Sequence, residues 1–190
     1  MSSPPRPPRF AIPSPRRRWV VAVVLLALVA GFSVATARLF VWPDLPAVPN
    51  HADAIAVFGG PGNRREVALD LAREGHAPVV LISVSDDEID TSWCQDGRLR
   101  GVPVICFHPD PYTTRGEARY VADLARQRGW TSLILVTTTD QAWRAQVRVS
   151  RCFDGTIAVA PAHLPLVEWP GQILYQWGAT AKAYTTETAC

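Results

Sequence analysis

Five short apolar runs, spaced by longer amphipathic stretches, organise the chain from residue 53 onward. Ala54–Phe58 is the first, bounded by Asp53 before it and by Gly59, Gly60 and Gly62 after it. A continuous β-branched and aromatic run of this length reads as a strand buried on both faces. After Asn63, the residues Val67, Ala68 and Leu71 recur at helical spacing until Gly75. The same alternation continues with runs at Val79–Ser83, Val102–Phe107, Ser132–Thr137 and Thr156–Ala160. Helical periodicity predicts helices over Thr114–Arg128, Asp140–Arg151 and Pro165–Tyr184. The segment Asp86–Gly101 has no clear period; Trp93 and Cys94 are its expected anchors. Apolar strands alternating with helices argue for a parallel sheet covered on both faces. The expectation is α/β: a Rossmann-like three-layer fold with a mainly parallel sheet over about residues 53–184.

The amino-terminal pattern is different. Residues 1–18 are rich in proline and arginine and predict a disordered tail. Trp19–Ala37 then runs 19 residues without a charge, spanning roughly 28 Å as a helix, close to a bilayer's hydrocarbon core. Arg16, Arg17 and Arg18 on its amino side place that side in the cytoplasm and the body outside. A cleaved signal peptide is the rival reading, with Ala35-Thr36-Ala37 as the small-residue site. In either case the body is exported. The organisation expected is a cytoplasmic tail over 1–18, a transmembrane helix or signal anchor over 19–38, a proline-rich spacer over 39–52 and an extracytoplasmic domain over 53–190. The localisation is a single-pass plasma-membrane protein.

Charge and cysteine count sharpen this picture. The formal net charge is +2, but five arginines precede the first acid, Asp44; without them 14 basic residues face 17 acidic ones. A mildly acidic body has no basic face for a nucleic-acid partner. Four cysteines in an oxidising compartment allow two disulfides with three connectivities. Cys94 with Cys106, and Cys152 with Cys190, are the favoured pairs. No Cys-x-x-Cys pair points to zinc, the alternative.

Candidate chemistry gathers where strands end and helices begin. Thr114 and Glu117 have capping-box spacing, as do Thr138 and Gln141, so both pairs have a purely structural explanation. The functional alternative is a helix amino terminus that receives an anion at Thr113 and Thr114, with Glu117 taking a hydroxyl or cation. Arg144 lies one turn into its helix, where a cation opposes the macrodipole; either Asp140 or a bound anion must draw it there. In a parallel sheet Gly59, Gly60, Ser83, His108, Thr137 and Thr138 share one edge, with Arg64, Glu117 and Arg144 on the first helical turns leaving it. That set describes a pocket for an anionic or phosphorylated ligand. His108-x-Asp110 is a weaker candidate base. Gly-Gly-Pro-Gly is not a dinucleotide fingerprint, and there is no Walker loop or Gly-x-Ser-x-Gly elbow, so the sequence singles out no cofactor.

Three of these stretches resemble the bacterial domain-of-unknown-function family that includes YdcF, SanA and ElyC: Gly59-Gly60 with Arg64 before Ala68; Thr114-Arg115-Gly116-Glu117-Ala118; and Val136-Thr137-Thr138 with Arg144-Ala145. Gln141 stands where the family motif has a histidine, so proton transfer by that group cannot operate here. Ser83-Val84-Ser85 replaces a common Ser-Gly-Gly. The resemblance implies a Rossmann-like domain, envelope-maintenance roles and, in YdcF, S-adenosylmethionine binding. That cofactor is cytoplasmic, whereas an exported domain meets envelope intermediates. The expected ligand is therefore an anionic small molecule or a lipid-linked envelope precursor, bound without turnover or acted on by a hydrolase or transferase. A purely structural envelope protein with an empty cleft is the third reading.

Overall fold

The structure, a computed structural model, describes residues 15–190; most of the tail expected to be disordered lies outside the described residues. Contacts divide the chain into two units, Met1–Thr36 and Ala37–Cys190. In the first, helix α1 covers Pro15–Thr36 and buries no residue. It takes in Arg16, Arg17 and Arg18 as well as the apolar run from Trp19. The helical stretch Pro15–Val41 is long and apolar enough to cross a membrane.

The second unit opens with a π-helical turn, Ala37–Val41, whose Phe40 is fully buried and meets Trp177 edge-on at 5.4 Å. The proline-rich stretch expected to be a stiff spacer makes contacts with the domain. Leu45 and Val48 pack against the core, and Pro49 accepts a hydrogen bond from His76 Nδ1 at 2.7 Å. Apolar residues between the prolines lay the segment onto the domain.

The sheet contains β1 (Ala54–Val57), β2 (Val80–Ser83), β3 (Arg98–Leu99), β4 (Val102–Phe107), β5 (Ser132–Thr138) and β6 (Thr156–Ala162), in spatial order β3-β4-β2-β1-β5-β6. All pairings are parallel except the β3–β4 hairpin. Order runs outward in both directions from β1, so the topological switch point lies between β1 and β5. Asp53 locks that pair: its carboxylate accepts hydrogen bonds from Thr131 N, Ser132 N and Ser132 Oγ at 2.8–2.9 Å, which hold its pKa below the ordinary value.

Successive strand residues point to opposite faces, and both faces are buried. Ala54, Ala56 and Phe58 meet α5 (Thr114–Arg128) and α6 (Thr139–Ser150) through Ala118, Val121, Ala122, Ala142 and Val149. Ile55, Val57 and Ile82 meet α2 (Arg64–Arg73) through Ala68 and Leu69. Two one-turn helices, α3 (Asp86–Ile89) and α4 (Ser92–Gln95), fill the stretch that lacked a period. The Cys94–Cys106 bridge ties α4 to β4, and Cys152–Cys190 closes the other expected pair. The final helix, α7, covers Trp169–Thr185 and packs on α6.

Candidate functional site

A cleft of about 330 Å³ opens at the switch point, beyond the carboxyl end of β1. Of the expected ligand residues, Gly59, Gly60, Arg64, Thr113, Thr114, Glu117 and Arg144 line it. Thr137 and Thr138 are buried and do not line it, Ser83 lines an adjoining chamber, and His108 lines neither. His108 stacks on Tyr112 at 5.2 Å and places Nδ1 3.1 Å from the Val84 carbonyl oxygen.

The capping explanation for both Thr/Glu-type pairs does not hold. Thr113, not Thr114, caps α5, its hydroxyl accepting from Gly116 N at 3.3 Å. A Cβ on Gly116 would collide with the Pro111 carbonyl, so glycine lets the preceding loop fold back over the helix start. Thr114 is thereby released: its hydroxyl accepts from Gln141 Nε2 and from Arg144 Nη1, both at 2.9 Å. Thr138 occupies the cap position of α6 without a side-chain cap bond and instead accepts from Arg64 Nη2 at 2.9 Å.

Arg64 organises the glycine turn. Only 3 % exposed, it donates from Nε to Pro61 O at 2.8 Å and from Nη1 to Phe58 O at 3.0 Å and to Gly59 O. Gly60, at φ +125°, brings the backbone around this guanidinium, and any Cβ there would meet it. Four of the five Arg64 donors are thus taken by the protein. Burial pushes its pKa down to about 10, against the attraction of Glu117 and Asp140, so it stays charged near neutrality.

Arg144 is placed differently. It is 5 % exposed, donates from Nε to Gln176 Oε1 at 2.9 Å and from Nη1 to Thr114, and has Tyr175 5.8 Å from its guanidinium carbon. Nη2 has no hydrogen-bond partner among the described residues, and the side chain borders the cleft. Gln176 Nε2 donates onward to Asp140 Oδ2 at 2.8 Å, so the amide links Arg144 to an acid whose charge, with that of Glu117, also attracts the guanidinium through space. Burial lowers the Arg144 pKa. Glu117, 4 % exposed, accepts from Gly59 N at 2.5 Å. Burial raises its pKa, opposed by that N–H, by Ser83 and by the two arginines.

Sequence reasoning missed Gln172, Tyr175 and Gln176, the face that α7 turns to the cleft, and Tyr112 from the loop before α5. Gln172 and Gln176 are one helical turn apart; this polar i, i+4 pair in the apolar first half of the helix was the available signal.

No family model matches the sequence, and no curated protein matches it. Among solved structures, the chain is similar to glycinamide ribonucleotide transformylase 1 from Symbiobacterium toebii, at 19 % identity and a TM-score of 0.37. That alignment covers 70 % of this chain and 64 % of the other, under two thirds of its length.

Proposed function

We propose that this chain is a membrane-anchored, extracytoplasmic protein of the YdcF/SanA-like kind, whose cleft binds an anionic or phosphorylated envelope-related ligand. The observation that carries the reading is Arg144. A guanidinium held out of water costs several kcal/mol unless its donors are met, and here the protein meets two with neutral groups and leaves Nη2 at the cleft. A phosphate oxygen there receives a charge-assisted bond, and the first-turn N–H groups of α5 and α6 supply further donors. The apolar Pro15–Val41 helix and the two disulfides support an exported, tethered domain.

A second reading, a hydrolase or transferase acting on such a phosphate, is favoured by Glu117: a buried carboxyl with a raised pKa is suited to proton transfer. Thermal melts of the full chain in detergent test both readings. The panel comprises sugar phosphates, lipid-linked wall precursors, nucleotides and S-adenosylmethionine, with Arg144→Ala alongside. At a hundred times its dissociation constant, a ligand stabilises by about 2.7 kcal/mol, roughly 5–10 °C here. A shift with an envelope phosphate, lost in Arg144→Ala, supports binding; release of inorganic phosphate from that ligand would make the protein an enzyme. A shift with S-adenosylmethionine alone, or none, overturns the reading.

A further inference from the structure

The outward side of α7 departs from the rule for a surface helix, which presents charged and polar groups to water. No charged residue lies between Glu168 and Lys182, and Lys182 is paired with Glu187 at 2.7 Å. Gln176, Thr180 and Ala183 are the residues this helix buries, whereas Leu174, on its opposite side, is 77 % exposed. Pro170, Leu174 and Trp177 form one stripe at i, i+4 and i+7 spacing. Leu166 and Val167, in the 3-10 turn that leads into α7, precede that stripe by one turn and are 82 % and 87 % exposed. A contiguous exposed apolar surface marks a place of contact.

The path of the chain says what faces this surface. The charge-free run that starts at Trp19 ends at Arg38. Phe40 follows two residues later, and it is the fully buried ring that meets Trp177 of α7. A bilayer crossed by that run therefore has its outer boundary beside Phe40, and so beside Trp177 and the stripe that leads to it. Trp42, just beyond Phe40, and Tyr175, just before Trp177, are both more than half exposed. Trp and Tyr are the residue types that gather at a lipid–water boundary. We propose that Leu166, Val167, Pro170 and Leu174 dock onto the lipid surface, so that α7 is an interfacial helix lying on the bilayer that the apolar run crosses. Gln172 and Tyr175 of the same helix wall the cleft, which docking brings within about one helix diameter of the headgroups. This inference rests on the reading of the apolar run as a membrane span.

The test is fluorescence quenching in the full chain, reconstituted without reductant into phosphatidylcholine–phosphatidylglycerol vesicles that carry acyl-chain spin labels. All four cysteines are bridged, so an environment-sensitive thiol label attaches only to an introduced cysteine. Leu174→Cys and Val167→Cys report on the proposed surface, and Leu28→Cys reports on the apolar run. Glu74→Cys, at the end of α2 and across the sheet from α6 and α7, is the reference. The spin labels are expected to quench Leu174→Cys, Val167→Cys and Leu28→Cys at least about threefold more strongly than Glu74→Cys. Melting curves check folding, and two surface positions keep the test open if one variant is unstable. A folded surface variant quenched no more strongly than Glu74→Cys, while Leu28→Cys is quenched, overturns the docking and leaves the span standing. So does a blue-shifted but unquenched label on that surface, which marks burial against a second copy of the chain. Leu28→Cys left unquenched overturns the inference together with the proposed membrane anchor.

Discussion

Arg64→Ala removes the residue on which the glycine turn is built. Its guanidinium satisfies the carbonyls of Phe58, Gly59 and Pro61 and holds Thr138 across the switch point. Hydrogen bonds to a charged group contribute about 1.5–3 kcal/mol each when deleted singly. The four are not additive, because water from the cleft rehydrates part of the freed carbonyls and the desolvation of the arginine is recovered. A net loss of about 4 kcal/mol is the expectation. For a domain of this size that lowers the melting temperature by roughly 8–15 °C. Arg64→Lys recovers less than half, since one ammonium cannot span acceptors arranged around a planar fork. Urea and thermal unfolding of the full chain in detergent, followed by tryptophan fluorescence, read the effect directly. An Arg64→Ala protein melting within about 3 °C of the parent refutes the claim that this side chain holds the turn.

Two further perturbations follow from the same geometry. Burial holds the folded pKa of the Glu117 carboxyl above its ordinary value of 4.5, so the native state binds more protons than the unfolded chain over the interval above that value. Stability contributed at this site therefore falls as pH rises through the interval. Glu117→Gln keeps an acceptor for Gly59 N and cannot ionise, so its stability relative to the parent grows as pH increases from about 4.5; a gap that shrinks over that range contradicts the burial argument. The bridges close segments with sequence separations of 12 and 38 residues. Loop entropy then gives losses of about 3 kcal/mol for the Cys94→Ser/Cys106→Ser pair and about 4 kcal/mol for Cys152→Ser/Cys190→Ser. Urea unfolding without reductant checks the order of the two.

The layered architecture was legible because its strands are buried on both faces and its helices carry a clear period. The predicted α5 bounds, Thr114–Arg128, coincide with those observed, since Val121, Ala122 and Ala125 mark the buried face and Gly129 at φ +68° stops the helix. The stretch over Asp86–Leu99 was not legible, for physical reasons. One-turn helices such as α3 and α4 are too short to show periodicity. The β3–β4 hairpin turns at Arg100-Gly101, with φ of 49° and 84°, and arginine at the first such position gives none of the usual hairpin signal. The site was partly legible. Spacing placed Thr114, Glu117, Thr138 and Arg144 at helix starts and left capping and anion binding open side by side; the structure has Thr113 as a cap and Thr114 and Thr138 as arginine acceptors. Capping and site chemistry use the same residue types at the same spacing, and only three-dimensional contacts separate them. The α7 contribution is a tertiary fact: Gln176 serves Arg144 from 32 positions away.

The central claim is that Arg144 presents an open donor to an anion. Titration of the full chain and of Arg144→Ala with inorganic pyrophosphate, at two salt concentrations, addresses it most directly. The parent is expected to bind, and the variant to bind about 10- to 100-fold more weakly with its fold intact, the loss expected for a charge-assisted contact of about 1.5–3 kcal/mol. Equal affinity in parent and variant would contradict it.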